Sequence, residues 1–415
     1  MSLTHDVTPE TLDVLFRARM RSRPGAAMAG LEGTAVFDTG RAAWTLTVDA
    51  DHLDVARGAR PHPTVSVRCD LDTLAAVIDG RESGAAAFHE GRLTMRGRIG
   101  FGLVLDGAFE PPAVRPVNAP RSDRVTAMGV DTTFLDAGPE EGPVALMLHG
   151  LGATNASLMP AILDLARDYR VIAPDLPGHG MSEAPRWHYE PADFAHWVYA
   201  FLNRLDVEQA VIVGNSLGGR VALETGLRYP ESVSSLVLFC PSAAFRKLRQ
   251  MVPAVRLIPP RLGRLPLPVN HGIVVRALRG MFADPHRLPD SSHDAAADEF
   301  AAVMRSADHR YAFFSALRQV YVEEAFGAQG FWDRLPHLAP PALFLWGRED
   351  RLVPAGFARH VESCLPEATS VILEDCGHVP QFEHPEITMR LVREFLETGR
   401  VVTEPGTTRG FPESS

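Results

Sequence analysis

Residues 214–219 read GNSLGG, and they lie between an apolar run at residues 210–213 and a helical stretch at residues 220–229. A serine at such a strand-to-helix turn is held in a strained backbone conformation. Glycines two residues before and after it let the strand and the helix approach closely. Gly214 and Gly218 fill these two positions. The stretch therefore predicts that Ser216 is an exposed nucleophile.

Two backbone amides beside this turn are predicted to stabilise a developing oxyanion. The helix that starts at Leu217 directs its free amides and its dipole toward Ser216. Upstream, the sequence HGLG begins at His149 and follows another apolar run, which makes the amide of Leu151 the expected second donor. We interpret His149 itself as a residue that orders this loop and not as a general base.

A serine hydroxyl becomes a strong nucleophile when an imidazole takes its proton, and the imidazole needs a carboxylate that fixes its tautomer. Asp350 follows an apolar run in WGREDRLVP, and His378 follows another in CGHVPQFEHPE. Because catalytic groups of open α/β sheets gather beyond the carboxyl ends of the strands, we predict Asp350 as the acid and His378 as the base. Glu349 and Asp375 are weaker candidates for the acid.

The second part of the chain has the pattern of a parallel sheet covered by helices. Its apolar runs lack alternation, as strands buried on both faces do. With the motifs above and DLPGHGMS at residues 175–182, they resemble the α/β-hydrolase superfamily over residues 125–397. The resemblance implies a triad of Ser216, Asp350 and His378, and a structural role for His179 and Ser182. We expect no metal ion and no cofactor. The runs lie at residues 144–148, 171–173, 210–213, 236–239, 343–346 and 371–373.

A long segment that lacks these regularly spaced apolar runs, at about residues 242–335, is predicted to form a helical lid over the site. Helices are expected at residues 272–282, 295–306 and 311–326. Apolar residues of the segment either line a substrate passage or pack the lid onto the core, and both interpretations stay open. These residues are Met251, Leu257, Ile258, Leu265 and Leu267.

Residues 245–283 contain eight basic residues and no acidic one, although the chain has a net charge of -10. One hypothesis is that this basic strip meets an anionic surface, either membrane headgroups or the phosphates of an acyl carrier. The alternative is a solvated lid face whose arginines reflect GC-rich coding. The basic strip consists of Arg246, Lys247, Arg249, Arg256, Arg261, Arg264, Arg276 and Arg279.

The first part of the chain, residues 1–110, predicts an α+β domain. Residues 44–48 and 65–69 alternate with period two, and Asp70 caps a helix that ends near Gly80. Further strands are expected at residues 93–96 and 102–105. With VSVRCDLDTLAAVIDGRESGAAAFHEGRLTMRG, this layout resembles the type 2 sterol carrier protein family over residues 8–110. The resemblance implies an apolar tunnel that holds an acyl chain or a sterol.

Four prolines interrupt residues 111–124, which we interpret as a linker between the two domains. Residues 398–415 are small and polar, and we expect a flexible tail. The four scattered cysteines suggest neither a zinc site nor a disulfide framework. Because the first residues lack the basic start and apolar run of a signal peptide, and no apolar run reaches membrane-spanning length, we expect a cytoplasmic protein, in contact with a membrane at most peripherally.

The predicted function is hydrolysis of a lipophilic carboxylic ester through an acyl-enzyme intermediate. Three alternatives stay open: a carbon-carbon bond hydrolase of ring-cleavage products, an acyl thioesterase, and a lipid-binding protein without catalysis. Val379 counts against the first, because that branch often has tryptophan after the catalytic histidine. The acidic net charge argues against nucleic acid as a partner.

Overall fold

The N-terminal part of the chain forms a five-stranded sheet with the strand order β3-β2-β1-β4-β5. The computed structural model describes residues 7–110, 119–243, 259–266, 269–401 and 407–409. The strands are β1 (Gly33–Asp38), β2 (Ala43–Asp49), β3 (His52–Arg57), β4 (Val65–Cys69) and β5 (Leu93–Gly97). The helices are α1 (Pro9–Arg19), α2 (Leu71–Ile78), α3 (Gly84–His89) and α4 (Ile99–Leu103). The sheet is mixed, because β1 and β4 pair in parallel whereas the other pairs are antiparallel.

The prediction of a strand at residues 102–105 is wrong. The chain leaves β5 at Gly97, whose φ of 94° turns it away from the sheet, and then forms α4. Small residues let α4 pack closely on the sheet, since a Cβ on Gly102 would lie 2.6 Å from Sδ of Met95. The apolar residues of the stretch GLVL at residues 102–105 therefore belong to the end of α4 and to the 3-10 turn that follows it, and not to a strand.

The second part of the chain is built on a nine-stranded sheet with the order β14-β13-β12-β11-β10-β8-β9-β7-β6. The strands from β13 to β9 in this order are parallel, whereas β6, β7 and β14 run antiparallel to their neighbours. The strands are β6 (Arg121–Ala127), β7 (Val130–Ala137), β8 (Val144–Leu148), β9 (Arg170–Pro174), β10 (Ala210–Asn215), β11 (Val233–Phe239), β12 (Ala342–Gly347), β13 (Thr369–Leu373) and β14 (Thr407–Arg409).

Helices cover this sheet, and four of the described ones lie between β11 and β12. Those four are α8 (His271–Arg279), α9 (Asp290–Val303), α10 (Ala307–Val322) and α11 (Phe331–Arg334). The others are α5 (Met159–Leu165), α6 (Pro191–Arg204), α7 (Leu217–Arg228), α12 (Phe357–Cys364), α13 (Pro380–Glu383) and α14 (Pro385–Thr398). None of the helices in the described ranges is both long and apolar enough to cross a membrane.

Two stretches that were predicted as irregular contain strands. Residues 121–124 of the expected linker form the start of β6, where Arg121 pairs with Asp136 of β7. Residues 407–409 of the expected flexible tail form β14, which pairs with β13. Both are edge strands with many polar residues, so they lack the apolar run by which the central strands are predicted.

Half of the basic strip lies in the described part of the chain. There Arg264 pairs with Asp308 at 3.1 Å and Arg279 pairs with Asp290 at 2.5 Å. Leu265, one of the apolar residues that were assigned to the lid, is 57% exposed. The other half of the basic strip and the other four apolar residues lie outside the described ranges; they are Arg246, Lys247, Arg249, Arg256, Met251, Leu257, Ile258 and Leu267.

Helix α9 docks onto the N-terminal domain with two adjacent carboxylates. Arg96 Nε donates to Oδ2 of Asp298 at 2.6 Å, and the amide of Gly100 donates to Oε2 of Glu299 at 3.0 Å. Burial raises the pKa of Glu299 from its ordinary value of 4.5 to about 7, although the bond from Gly100 and the charge of Arg98 act against it. The two parts of the chain therefore meet at a buried carboxyl group that titrates near neutral pH.

This pKa predicts how stability depends on pH. A group whose pKa is raised by folding stabilises the fold below its unfolded pKa, and that contribution is lost as the pH rises through the folded pKa. For Glu299 the loss falls between about pH 4.5 and pH 7 and is on the order of 3 kcal/mol. In Glu299→Gln the loss is absent, so the variant should gain stability over the wild type as the pH rises from 5 to 8. Thermal unfolding midpoints at both pH values check this, and an equal difference at both would contradict it.

Candidate active site

Ser216 lies at a sharp turn between β10 and α7. Its backbone has φ 54° and ψ -113°, a conformation that costs a residue with a side chain free energy. A Cβ on Gly214 would lie 2.5 Å from the carbonyl carbon of Gly218, and a Cβ on Gly218 would lie 2.0 Å from the carbonyl oxygen of Leu148. Both positions must therefore be glycine for the strand, the turn and the helix to pack together.

His378 and Asp350 meet in a buried pair at the carboxyl ends of β13 and β12. His378 Nδ1 lies 2.7 Å from Oδ2 of Asp350, and the two side chains are 5% and 0% exposed. Because an ionised carboxylate only accepts, Nδ1 is the donor, and Nε2 is left to accept a proton. The other carboxylate oxygen accepts from the amides of Leu352 and Val353 at 2.8 and 2.9 Å. This carboxylate is thereby fixed toward the imidazole.

The histidine loop is bonded to the serine turn. Asn215 Nδ2 donates to the carbonyl oxygens of His378 at 3.2 Å and Phe239 at 3.0 Å. The amide of Ser216 also donates to the carbonyl oxygen of Phe239 at 3.0 Å. These bonds bring the loop of His378 beside the residue predicted as nucleophile.

The loop with HGLG lies against the same turn. A Cβ on Gly150 would lie 3.4 Å from Cβ of Ser216. The amide of the next residue, Leu151, therefore belongs to a backbone segment that contacts the serine. His149 is fully buried, and its Nε2 accepts from the amide of Leu176 at 2.9 Å. Burial lowers the pKa of His149 to about 3, which keeps the ring neutral. The roles of the Leu151 and Leu217 amides as oxyanion donors stay predictions.

The other candidate residues have different partners. Glu349 Oε2 accepts from the amide of Cys376 at 2.8 Å, and Asp375 forms an ion pair with Arg287. Ser182 Oγ donates to the carbonyl oxygen of Asp175 at 2.7 Å, and Nδ1 of His179 lies 3.1 Å from that of Pro177. The described contacts of these four residues thus hold loops together.

Glu383 is a site residue that the sequence reasoning missed. Its carboxylate accepts from the amide of Gly377 at 2.6 Å and from that of Ala283, just after α8, at 2.7 Å. Beside it the amide of His378 donates to the carbonyl oxygen of Met281 at 2.6 Å. Glu383 therefore joins the histidine loop to the segment after α8. The sequence signal that could have indicated Glu383 is its position five residues after His378, in HVPQFEHPE.

Cys240 is the second such residue. It is buried at the end of β11 with a φ of 44°, and its thiol lies within 4.8 Å of the ligand atoms of Asp350 and His378. Two ligands of one zinc ion would lie about 3.3 Å apart, given metal bonds of about 2.0 Å and tetrahedral angles. The 2.7 Å between the histidine and the carboxylate is instead a hydrogen-bond distance. The arrangement thus fits proton transfer better than metal binding.

Helix α7 is fixed to the helices that precede β12. Arg220, almost fully buried, pairs with Glu224 at 2.8 Å and with Glu323, which follows α10. Burial alone would raise the pKa of Glu224, but Arg220 and Arg334 outweigh it and lower the pKa to about 2. Removing one partner of such a buried network leaves an uncompensated charge. The network therefore locks the helix that carries the serine turn.

Two aromatic rings of these helices lie on the HGLG loop. A Cβ on Gly152 would lie 3.0 Å from the ring of Phe300 in α9 and 2.8 Å from that of Phe313 in α10. The two rings contact each other edge to face, with centroids 5.4 Å apart. The loop that carries Leu151 is therefore covered by an apolar wall.

The comparisons with known proteins agree with this architecture. The profile of the family described as alpha/beta hydrolase fold matches residues 143–385, which is more than half of the chain. The chain belongs to the α/β-hydrolase family. The profile of the SCP-2 sterol transfer family matches residues 16–110. Both resemblances stated from the sequence are thus confirmed.

Relatives of this chain cover its larger domain. A 2-hydroxymuconate semialdehyde hydrolase of Pseudomonas sp. is 31% identical over 291 residues, which are 68% of this chain and 96% of that one. An uncharacterized protein of Mycobacterium tuberculosis is 29% identical over 311 residues, covering 70% and 84%. A crystal structure of a membrane phospholipase A, described as a bacterial virulence factor, has a TM-score of 0.57 at 28% identity and covers 67% and 86%. The family thus includes hydrolases of different bond types.

The geometry predicts which carboxylate supports the histidine. In Asp350→Asn the amide can stabilise the wrong tautomer of His378, so the rate of fluorophosphonate labelling should fall by about 10³- to 10⁴-fold. The matched control is Glu349→Gln, one residue away, whose side chain still accepts from Cys376 and whose rate should stay within about threefold of wild type. Equal losses in the two variants, at unchanged thermal midpoints, would contradict the assignment.

Proposed function

We propose that this protein hydrolyses the carboxylic ester of a lipophilic compound, with Ser216 as nucleophile. The observation that carries the proposal is the buried pair of His378 and Asp350, joined at 2.7 Å, at the edge of the sheet where the strained turn holds Ser216. A nucleophile, a base and a group that orients the base are the parts that acyl transfer needs.

In the proposed mechanism, Oγ of Ser216 attacks the ester carbonyl while Nε2 of His378 takes the hydroxyl proton. Asp350 stabilises the imidazolium, and the amides of Leu151 and Leu217 bind the oxyanion. His378 then gives its proton to the leaving alcohol, and an acyl-enzyme remains. A water molecule, deprotonated by His378, releases the acid and restores the serine.

A lipophilic substrate is supported from both parts of the chain. The rings of Phe300 and Phe313 form an apolar wall over the HGLG loop. The N-terminal domain matches a sterol transfer family and contains a cavity of about 370 Å³. A phospholipase of similar fold and 28% identity also acts, by its name, on a lipid ester.

A carbon-carbon bond hydrolase of ring-cleavage products is the second candidate. It is favoured by the 31% identity with a 2-hydroxymuconate semialdehyde hydrolase along nearly the whole of that protein. Val379 after His378 counts against it. An acyl thioesterase and a lipid-binding protein without catalysis remain the further alternatives, because one fold hosts many chemistries.

A substrate panel distinguishes these candidates. We expect p-nitrophenyl esters to be hydrolysed with a kcat/KM that rises with acyl length, and we expect at least about 10³-fold lower activity in Ser216→Ala. A vinylogous diketone and an acyl-CoA are measured beside the esters. A kcat/KM for the diketone or the thioester well above that of every ester would replace the proposal, and no Ser216-dependent activity on any of them would favour the binding protein.

The hypothesis that the basic strip meets an anionic surface is also open to a direct test. We expect more protein to sediment with vesicles of anionic phospholipid than with zwitterionic ones, and we expect Arg276→Glu to reduce this difference. Arg68→Glu, an exposed change on β4 of the N-terminal domain, is the matched control. Equal weak binding to both kinds of vesicle would overturn the membrane hypothesis and favour a solvated lid face.

A further inference from the structure

The cavity of the N-terminal domain is lined by apolar side chains together with two arginines and four carboxylates, as a site for an amphiphile with an aliphatic chain is. Its walls include Phe37, Ile78, Leu93, Met95 and Leu103, and its volume of about 370 Å³ is at the lower end of the range of small-molecule sites. Residues 119–123, which include the first three residues of β6 in the hydrolase domain, also line it. Both domains therefore contribute residues to the wall of the cavity.

One wall of this cavity separates it from α9. Residues alternate along β5, so Leu93 and Met95 face the cavity while Arg96 faces the other way. There Arg96 Nε donates to Oδ2 of Asp298 at 2.6 Å, and the amide of Gly97 donates to the same oxygen at 3.2 Å. A ligand that presses on β5 thus presses on the contact with α9.

The next element, α4, forms a second contact of the same kind. Its residues Gly102 and Leu103 line the cavity, while the amide of Gly100 donates to Glu299 at 3.0 Å. A Cβ on Gly100 would lie 2.8 Å from Cγ of Met181. The segment from Arg96 to Gly100, which we name the docking corner, therefore fits between α9 and the loop that contains Met181.

Both of these neighbours, α9 and the loop that contains Met181, are also connected by contacts to the HGLG loop. Phe300, the residue after Glu299, lies on Gly152 beside the predicted oxyanion amide of Leu151. On the other side, the carboxylate of Asp175 accepts from the amides of Met181 at 2.8 Å and Asn155 at 2.9 Å. A displacement of the docking corner thus reaches the HGLG loop by two short routes.

We propose that the N-terminal cavity is an effector site, at which an amphiphile with one aliphatic chain displaces the docking corner from α9 and thereby raises hydrolysis at Ser216. The inference rests on the proposed function. In the structure described here the corner is docked and Phe300 lies on Gly152. In the second state the corner has moved, the carboxylates of α9 are hydrated, and the aromatic wall over the loop is released.

The charges of the contact lower the free energy cost of undocking as the pH rises toward neutral. Burial raises the pKa of Glu299 to about 7, and hydration would let this carboxylate ionise as an exposed one does. The charged groups that face it are Arg98 of the docking corner and Asp175, whose pKa burial raises to about 6. A ligand shifts such a balance by the difference between its affinities for the two states.

The test uses the full chain and a substrate too short to need the cavity. Binding of cis-parinaric acid, a fluorescent fatty acid, reports occupancy, and palmitate and hexadecanol compete with it. The kcat/KM for p-nitrophenyl acetate is measured with and without saturating palmitate. We expect palmitate to raise the kcat/KM by about fivefold or more, the usual range of coupling between sites.

Variants of the contact identify the route. Arg96→Glu should raise the basal kcat/KM and abolish the response to palmitate, whereas the exposed control Arg68→Glu should respond as the wild type does. The charge exchange Arg96→Glu with Asp298→Arg should restore the response. An equal response in Arg96→Glu would show that palmitate acts elsewhere and would overturn the proposal.

The remaining outcomes separate this inference from the proposed function. No binding of the fatty acids, or binding that leaves Ser216-dependent hydrolysis unchanged or lowers it, would overturn the effector site alone. If no Ser216-dependent hydrolysis is found under any condition, the proposed function fails, and the inference fails with it.

Discussion

The left-handed backbone of Ser216 is the constraint on which the arrangement of the site depends. A φ of 54° costs a serine on the order of 1–3 kcal/mol, and the surrounding packing must hold it in place. Here β10, β8 and α7 converge so closely that no side chain fits at Gly214 or Gly218. This packing fixes the serine at the carboxyl edge of the sheet, where the loops after β12 and β13 begin.

His378 is also held in place by several hydrogen bonds to its side chain and its backbone. Its side chain is oriented by Asp350, whose other oxygen is bound by two amides, and its backbone is bonded to Asn215 and to Met281. Glu383 holds the same loop to the segment after α8. His378 is therefore positioned jointly by the sheet and by the helices inserted after β11, so a change in those helices would displace its imidazole relative to Ser216.

The parts of the fold that the sequence predicted are those with a strong local signal. Buried strands gave apolar runs, and the turns after them carried Ser216, Asp350 and His378. The edge strands β6 and β14 are rich in polar residues, and the apolar residues 103–105 suggested a strand although they belong to the end of α4 and the turn after it. Glu299 was not foreseen, because its partner Gly100 lies 199 residues away and nothing local in α9 indicates a contact with another domain.

The two domains share a wall instead of being joined only by a linker. The start of β6 lines the N-terminal cavity, and α9 contacts both the N-terminal sheet and the HGLG loop. A tethered domain would only raise the local concentration of its ligand. A docked domain can also displace the HGLG loop, because packed interfaces transmit strain.

The central claim is that Ser216 forms a covalent bond with the acyl group of the substrate. Rapid mixing with a lipophilic p-nitrophenyl ester, acid quenching within the first turnovers and mass spectrometry of the digest test it directly. We expect the acyl mass on the peptide that contains Ser216 and its absence in Ser216→Ala. Full ester turnover with the acyl mass on a different residue would contradict it.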